Sequence, residues 1–193
     1  MWRALALVLL TACTAAAPGA TPPTSPRPTP LPSPSPAGDA IFTRTCDSNV
    51  SGQLGAGWRR GEVVAGPVAF VGAAGYADDP PAWFSARGER ATAQKVLLVV
   101  DGSVPVVLAV RQPDAALAYD PDRWSDRNVV PLRSGDRRVR FEPCGGDQPR
   151  TQFNGGFLVR GPGCVRVAVR VEGQPPRFAT VSFGAGACTA SGA

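Results

Sequence analysis

The chain of 193 residues contains no histidine. The usual general base at neutral pH is therefore missing. Ser-His-Asp and Cys-His constellations are excluded, a Cys-His cell-wall transpeptidase among them. Lysine is nearly as scarce: Lys95 is the only one, so the positive charge is almost all arginine. A Ser-x-x-Lys nucleophile fails too, because Thr92 stands three residues before Lys95. No two cysteines have Cys-x-x-Cys spacing, and no histidine can complete a zinc site, so neither a metal knuckle nor a redox motif is expected, nor any cofactor. Long apolar runs are also missing. The segment from Ala4 to Ala12 falls well short of the ~20 residues a helix needs to cross a bilayer. No stretch carries a convincing helical stripe.

What is present reads as an exported β protein. The formal charge is +5, and 22 glycines with 21 prolines and the arginine bias point to a GC-rich genome rather than to a mechanism. A hydrophobic content of 44% suffices for a core. About 150 residues remain beyond the first 39, which is one ordinary domain. Such a chain buries roughly 70% of its unfolded surface.

Arg3 followed by the short apolar run reads as a signal peptide over residues 1–12. Leu10-Thr11-Ala12-Cys13 resembles the lipobox of bacterial lipoprotein precursors, which implies that the Cys13 thiol takes diacylglycerol and becomes the first mature residue. Ordinary cleavage after Ala17 or Ala20 is the rival reading, with secretion as its outcome. Residues 13–39 hold the lipidated cysteine and a Pro/Thr/Ser-rich linker. Its composition favours solvated polyproline II, a spacer of roughly 75 Å if fully extended. The domain is expected over residues 40–193.

Five cysteines is an odd number. Setting aside Cys13 leaves Cys46, Cys144, Cys164 and Cys188, an even set that predicts two structural disulfides in an oxidising compartment. Three connectivities are open. Cys164–Cys188 is favoured, because those residues bracket a hairpin centred near residues 174–176, and Cys46–Cys144 then follows.

The domain itself predicts an all-β fold: a single antiparallel β-sandwich, immunoglobulin-like in architecture, of about eight short strands. In "CVRVAVRVEGQPPRFATVSF" Val165, Val167, Val169 and Val171 alternate with Arg166, Ala168 and Arg170, a period of two that separates an apolar from a basic face. "RRVRFEPC" repeats the pattern, with Val139 and Phe141 inward and Arg138 and Arg140 outward. In "KVLLVVDGSVPVVLAV" two valine-rich runs flank Asp101-Gly102, which predicts a second hairpin. Weaker strands fall at 67–73, 116–119, 129–133 and 156–160. A turn of helix is allowed at 81–94 or 121–127. A closed barrel is the alternative architecture.

"TQFNGGFLVRGPGCVRVAV" followed by "VSFGAGAC" resembles the carboxy-terminal part of a family of uncharacterised actinobacterial secreted proteins and lipoproteins. "GPVAFVGA" and the "YDP" at 119–121 fit the same pattern, and the resemblance spans residues 46–188. It implies an extracytoplasmic single domain and carries no activity or catalytic residue.

Four groups of residues are candidates for a site. Outward Arg138, Arg140, Arg166 and Arg170 form a basic face if their strands are neighbours. Such a face attracts anionic wall polymers or phospholipid headgroups, whereas no element suited to nucleic acid is visible. Trp58, Trp83 and Trp124 lie in Gly- and Pro-flanked segments, where they either stack on sugar rings or plug the ends of the core. Asn154 before Gly155-Gly156 is a candidate ligand contact, although paired glycines in a strand more often mark a bulge or close backbone approach. Asp120, Asp122 and Asp126 are a weak calcium set, because Trp124 stands where an EF-hand needs a ligand. The expected function is a non-catalytic cell-envelope lipoprotein with a structural or interaction role, its partners being the membrane through the lipid and wall polymers or another envelope protein. The alternative is a wall-glycan binding module using the loop tryptophans.

Overall fold

The computed structural model describes residues 41–78 apart from 53 and 56, together with 90–121 and 129–188. Cys13, the signal segment and the Pro-rich linker lie outside them, as do Trp83, Trp124, Asp122 and Asp126. Among the described residues there are three single 3-10 turns and no α-helix, and the fold is all-β.

Among the described residues, thirteen strands build three sheets. The first sheet has the order β1 (Phe42–Arg44), β9 (Arg138–Phe141), β6 (Val106–Val110), β12 (Gly163–Val171) and β13 (Arg177–Phe183). The second runs β10 (Arg150–Phe153), β5 (Leu97–Asp101), β3 (Val68–Val71) and β2 (Val63–Ala65). The third runs β7 (Ala115–Ala118), β11 (Gly156–Val159), β4 (Arg90–Lys95) and β8 (Val129–Pro131). All pairings are antiparallel except β1 on β9.

The second and third sheets are halves of one bent layer. Phe153 lies opposite Leu98, and Gly156 lies opposite Lys95, so a single register continues across the break. Val96 N–H donates to the Gly155 carbonyl at 2.9 Å within the gap. Segments 90–101 and 150–159 thus form one long antiparallel pair folded in the middle. This layer and the five-stranded sheet both contribute to one core: Val139, Phe141, Val167 and Val181 from the first sheet, Phe70, Leu98 and Phe153 from the second, Leu117 and Phe157 from the third. Rings touch across the layers, Phe157 on Phe183 at 5.5 Å and Phe141 on Phe153 at 5.0 Å between centroids. A smaller cluster of Ala91, Ala116, Leu132 and Leu158 seals the opposite face of the third sheet.

Paired glycines permit the bend. A Cβ on Gly156 would sit 1.8 Å from the Gln94 carbonyl oxygen, and one on Gly155 would sit 2.2 Å from Tyr119 Cδ1. The Tyr119 ring occupies that space, and its hydroxyl donates to the Val96 carbonyl at 3.2 Å. The close backbone approach expected of "FNGG" is what these residues do.

Both disulfides form in the favoured pairing, Cys46–Cys144 and Cys164–Cys188. The β12–β13 hairpin is also as expected, with Val165, Val167, Val169 and Val171 buried. The hairpin expected at Asp101-Gly102 does not form. There β5 pairs with β3 and β10, while β6 pairs with β9 and β12, so the chain arches from one layer to the other. Both valine runs face the same core from opposite sides. Gly102 with φ 86° makes the turn. The strands beyond the nine segments marked in the sequence are β1, β2, β4 and β10. Of the places where a helical turn is allowed, 81–89 and 122–127 lie outside the described residues, while 90–94 belong to β4, where pairing on both edges overrides the helix preference of Ala and Gln.

Candidate functional site

The four arginines singled out in the sequence come together on the outer face of the five-stranded sheet. Strand alternation puts Val106, Leu108 and Val110 into the core and turns Val107 and Ala109 outward. The same alternation turns out Arg138 and Arg140 on β9, and Arg166, Ala168 and Arg170 on β12. Register then aligns Arg138, Ala109, Ala168 and Phe178 in one row across four strands. Arg140, Val107 and Arg170 form the next row. Two alanines at the centre leave a shallow depression. Part of it, lined by Ala109, Arg111, Arg137, Arg138, Ala168 and Arg170, encloses about 750 Å3. An overlapping part of about 680 Å3 extends to Arg166 and Phe178.

The arginines on this face are not equivalent. Arg140 Nε donates to Glu142 at 3.0 Å. Arg137 is committed to the fold, donating to the carbonyls of Gln112, Ala115 and Pro113. Arg166 lies over the Phe178 ring, 4.1 Å from its centroid, and Phe178 is 50% exposed. No described carboxylate pairs with Arg111, Arg138 or Arg170. Sequence reasoning missed Arg111, Phe178 and the alanine floor. The signal was there in "VVLAVR" and "RFATVSF", where the period of two that buries Val110 and Ala179 leaves Arg111 and Phe178 outside.

A second polar cluster sits at the mouth of the bend. Arg44 is buried, 6% exposed, at the end of β1. Its Nε donates to Ser48 Oγ at 2.9 Å, and its Nη atoms donate to the carbonyls of Tyr119, Asn154 and Ser48. Burial lowers its pKa, and the Asp120 carboxylate and Tyr119 oppose that shift. Burial likewise raises the Tyr119 phenol above its ordinary value, with Arg44 opposing. The exposed Asn154 and Lys95 line a cavity of about 180 Å3 with Arg44 and Asp120. Every nitrogen of the guanidinium is already engaged, so this cluster ties β1 to the bend rather than offering a free cation. Asp120, the one described member of the calcium set, lines that same cavity beside Arg44.

Trp58 lies elsewhere. It is half-buried, with the guanidiniums of Arg59 and Arg150 over its ring at 5.6 and 5.5 Å. Both arginines also pair with Asp101. Arg150 begins β10 and Asn154 follows its end, which separates the two places by roughly 13 Å along the strand. The structure therefore does not bring Trp58 and Asn154 to one spot.

Compared with protein-family models, with curated proteins and with solved structures, the chain matches none.

Proposed function

We propose that this is a non-catalytic lipoprotein of the cell envelope, held by acyl chains on Cys13 and displaying a disulfide-closed β domain on a Pro-rich stalk for interaction with an envelope partner. The observation that carries the reading is the use of cysteine. Four of the five form two bridges inside the fold, which leaves Cys13 alone, at the end of an apolar run and in a lipobox-like tetrapeptide. Disulfides persist outside the reducing cytosol, and an odd cysteine near the amino terminus then has a natural use as the lipid attachment point. The outward arginines on β9 and β12, either side of β6, give such a domain a cationic face with which to hold its partner.

The alternative is a module that reads wall glycans with Trp58, Trp83 and Trp124. The one described ring, Trp58, is covered by two guanidiniums, which leaves less of its face for a sugar.

Growth of expressing cells with an alkyne-bearing palmitate tests the proposal. The wild-type protein is expected to take up label and stay with the membrane, and Cys13→Ala to be unlabelled and released. An unlabelled wild-type chain, or one in which the four domain cysteines react with iodoacetamide before reduction, would overturn it.

A further inference from the structure

We propose that the arginine-rimmed depression on the outer face of the five-stranded sheet is a binding site for a linear phosphodiester polymer of the cell envelope. This names the partner of the envelope module proposed above and rests on that reading. The argument begins with the floor. Ala109 and Ala168 are neighbours on β6 and β12, and six outward positions adjoin them. Four of the six are arginine: Arg138 across β9, Arg111 and Arg166 at one end, and Arg170 at the other. Val107 and Phe178 complete the ring. Continuing the β6–β12 register one residue past Val110 sets Arg111 opposite Arg166. The described salt bridges include no carboxylate that pairs with Arg111, Arg138 or Arg170. An anion in the depression gives these three a partner.

The geometry selects the anion. Guanidinium forks bind carboxylate and phosphate alike. A carboxylate, however, accepts forks in its own plane, and here the arginines approach the floor from three sides. The oxygens of a phosphate diverge and accept from several directions. The rim also extends beyond a single group. Arg138 and Arg170 stand two strands and two residues apart, on the order of 12 Å between Cα atoms at ordinary strand spacing, within joint reach of two long side chains on one phosphate. Arg166 lies four residues along β12 from Arg170, roughly 13 Å, with Arg111 opposite it, and a chain carrying successive phosphates reaches that end as well. A bilayer surface fits less well. The alanine floor is recessed, and the half-exposed Phe178 at its edge is capped by Arg166 at 4.1 Å.

The test uses the full chain, purified in detergent, and fluorescently labelled poly(glycerol phosphate). Binding is expected to weaken steeply with added salt, as counterion release requires. Arg138→Gln and Arg170→Gln are each expected to lower affinity about tenfold and to flatten the salt dependence. Arg60→Gln removes the same charge from the exposed segment leading into β2, in the other layer, and is expected to leave affinity unchanged. Unchanged melting temperatures show that the variants fold. Equal binding to polygalacturonate overturns the phosphate assignment, and binding to phosphatidylglycerol vesicles without binding to the polymer overturns the choice of partner. Equal losses in all three variants would reduce the site to net charge. The outcome is separable from that of palmitate labelling: a labelled protein that ignores the polymer sinks this site alone, and an unlabelled protein that binds it sinks only the anchor.

Discussion

At the scale of single residues, the bend in the second layer rests on two missing side chains. Gly156 stands against the Gln94 backbone and Gly155 against the Tyr119 ring, each far inside contact distance for a Cβ. Both are buried, and neither neighbour is the free end of a flexible chain. Gly156→Ala must therefore push the β4 and β11 backbones apart where they pair. A cost of about 3 kcal/mol or more follows, at the upper end of overpacking penalties. Gly163 begins β12 with open space around its Cβ position, and its φ is not positive. Gly163→Ala is expected to fall within about 0.5 kcal/mol of wild type, or to stabilise slightly through the unfolded state. Urea unfolding of the two variants checks the contrast, and equal midpoints would show that the bend does not need glycine. Asn154, beside the pair, illustrates a different lesson. Its carbonyl accepts from Arg44, so in this fold its backbone serves the bend, whatever its exposed side chain meets.

At the scale of elements, the two disulfides close loops of very different length. Cys46–Cys144 spans 98 residues and ties the 3-10 turn after β1 to the segment after β9. Cys164–Cys188 spans 24 and staples the chain beyond β13 back to the start of its own hairpin. In the chain-entropy account the first bridge contributes about 4.7 kcal/mol and the second about 3.4 kcal/mol. The double variant Cys46→Ala/Cys144→Ala is thus expected to lose about 1 kcal/mol more than Cys164→Ala/Cys188→Ala, measured by urea unfolding. The reverse order would mean that the hairpin depends on its staple more than on the pairing of β12 with β13. That hairpin was the most legible part of the sequence, because its valine–arginine alternation states both the strand and the buried face. So were the bridges, once the odd cysteine was set aside. The arch between β5 and β6 was not legible. Asp101-Gly102 between valine runs describes a sharp turn, but whether the runs then pair or separate into two layers depends on distant partners, β3 and β10 for one and β9 and β12 for the other. β4 was hidden for the same reason: "RATAQK" has no strand signature of its own, and its neighbours supply one. The basic face was half legible. Arg138, Arg140, Arg166 and Arg170 were visible in their strands, but only register shows that β6 lies between them and that its Ala109 opens the depression.

At the scale of the whole molecule, the positive charge is distributed by layer. Arg59 and Arg150, beside the bent layer, share Asp101, and buried Arg44 lies near Asp120. The five-stranded sheet instead carries Arg111, Arg138 and Arg170 without a described acidic partner on its outer face. A bound anion gives such a face a partner, so an anion that binds only the folded state should raise the melting temperature. Phosphate at ten times its dissociation constant adds about 1.4 kcal/mol by linkage. For a domain of this size that corresponds to about 3–6 °C. Phosphate also stabilises most proteins by exclusion from their surfaces, so a shift in the wild type alone decides nothing. The informative quantity is the difference between the wild type and Arg138→Gln/Arg170→Gln in phosphate and in sodium chloride of equal ionic strength. Surface exclusion acts on both proteins alike, and site binding acts on one. The wild type is expected to gain several degrees more than the double variant in phosphate and to match it in chloride. Parallel shifts in the two proteins would mean that the guanidiniums around Ala109 and Ala168 do not act together on a phosphate, and the depression would then be only a solvated strand face.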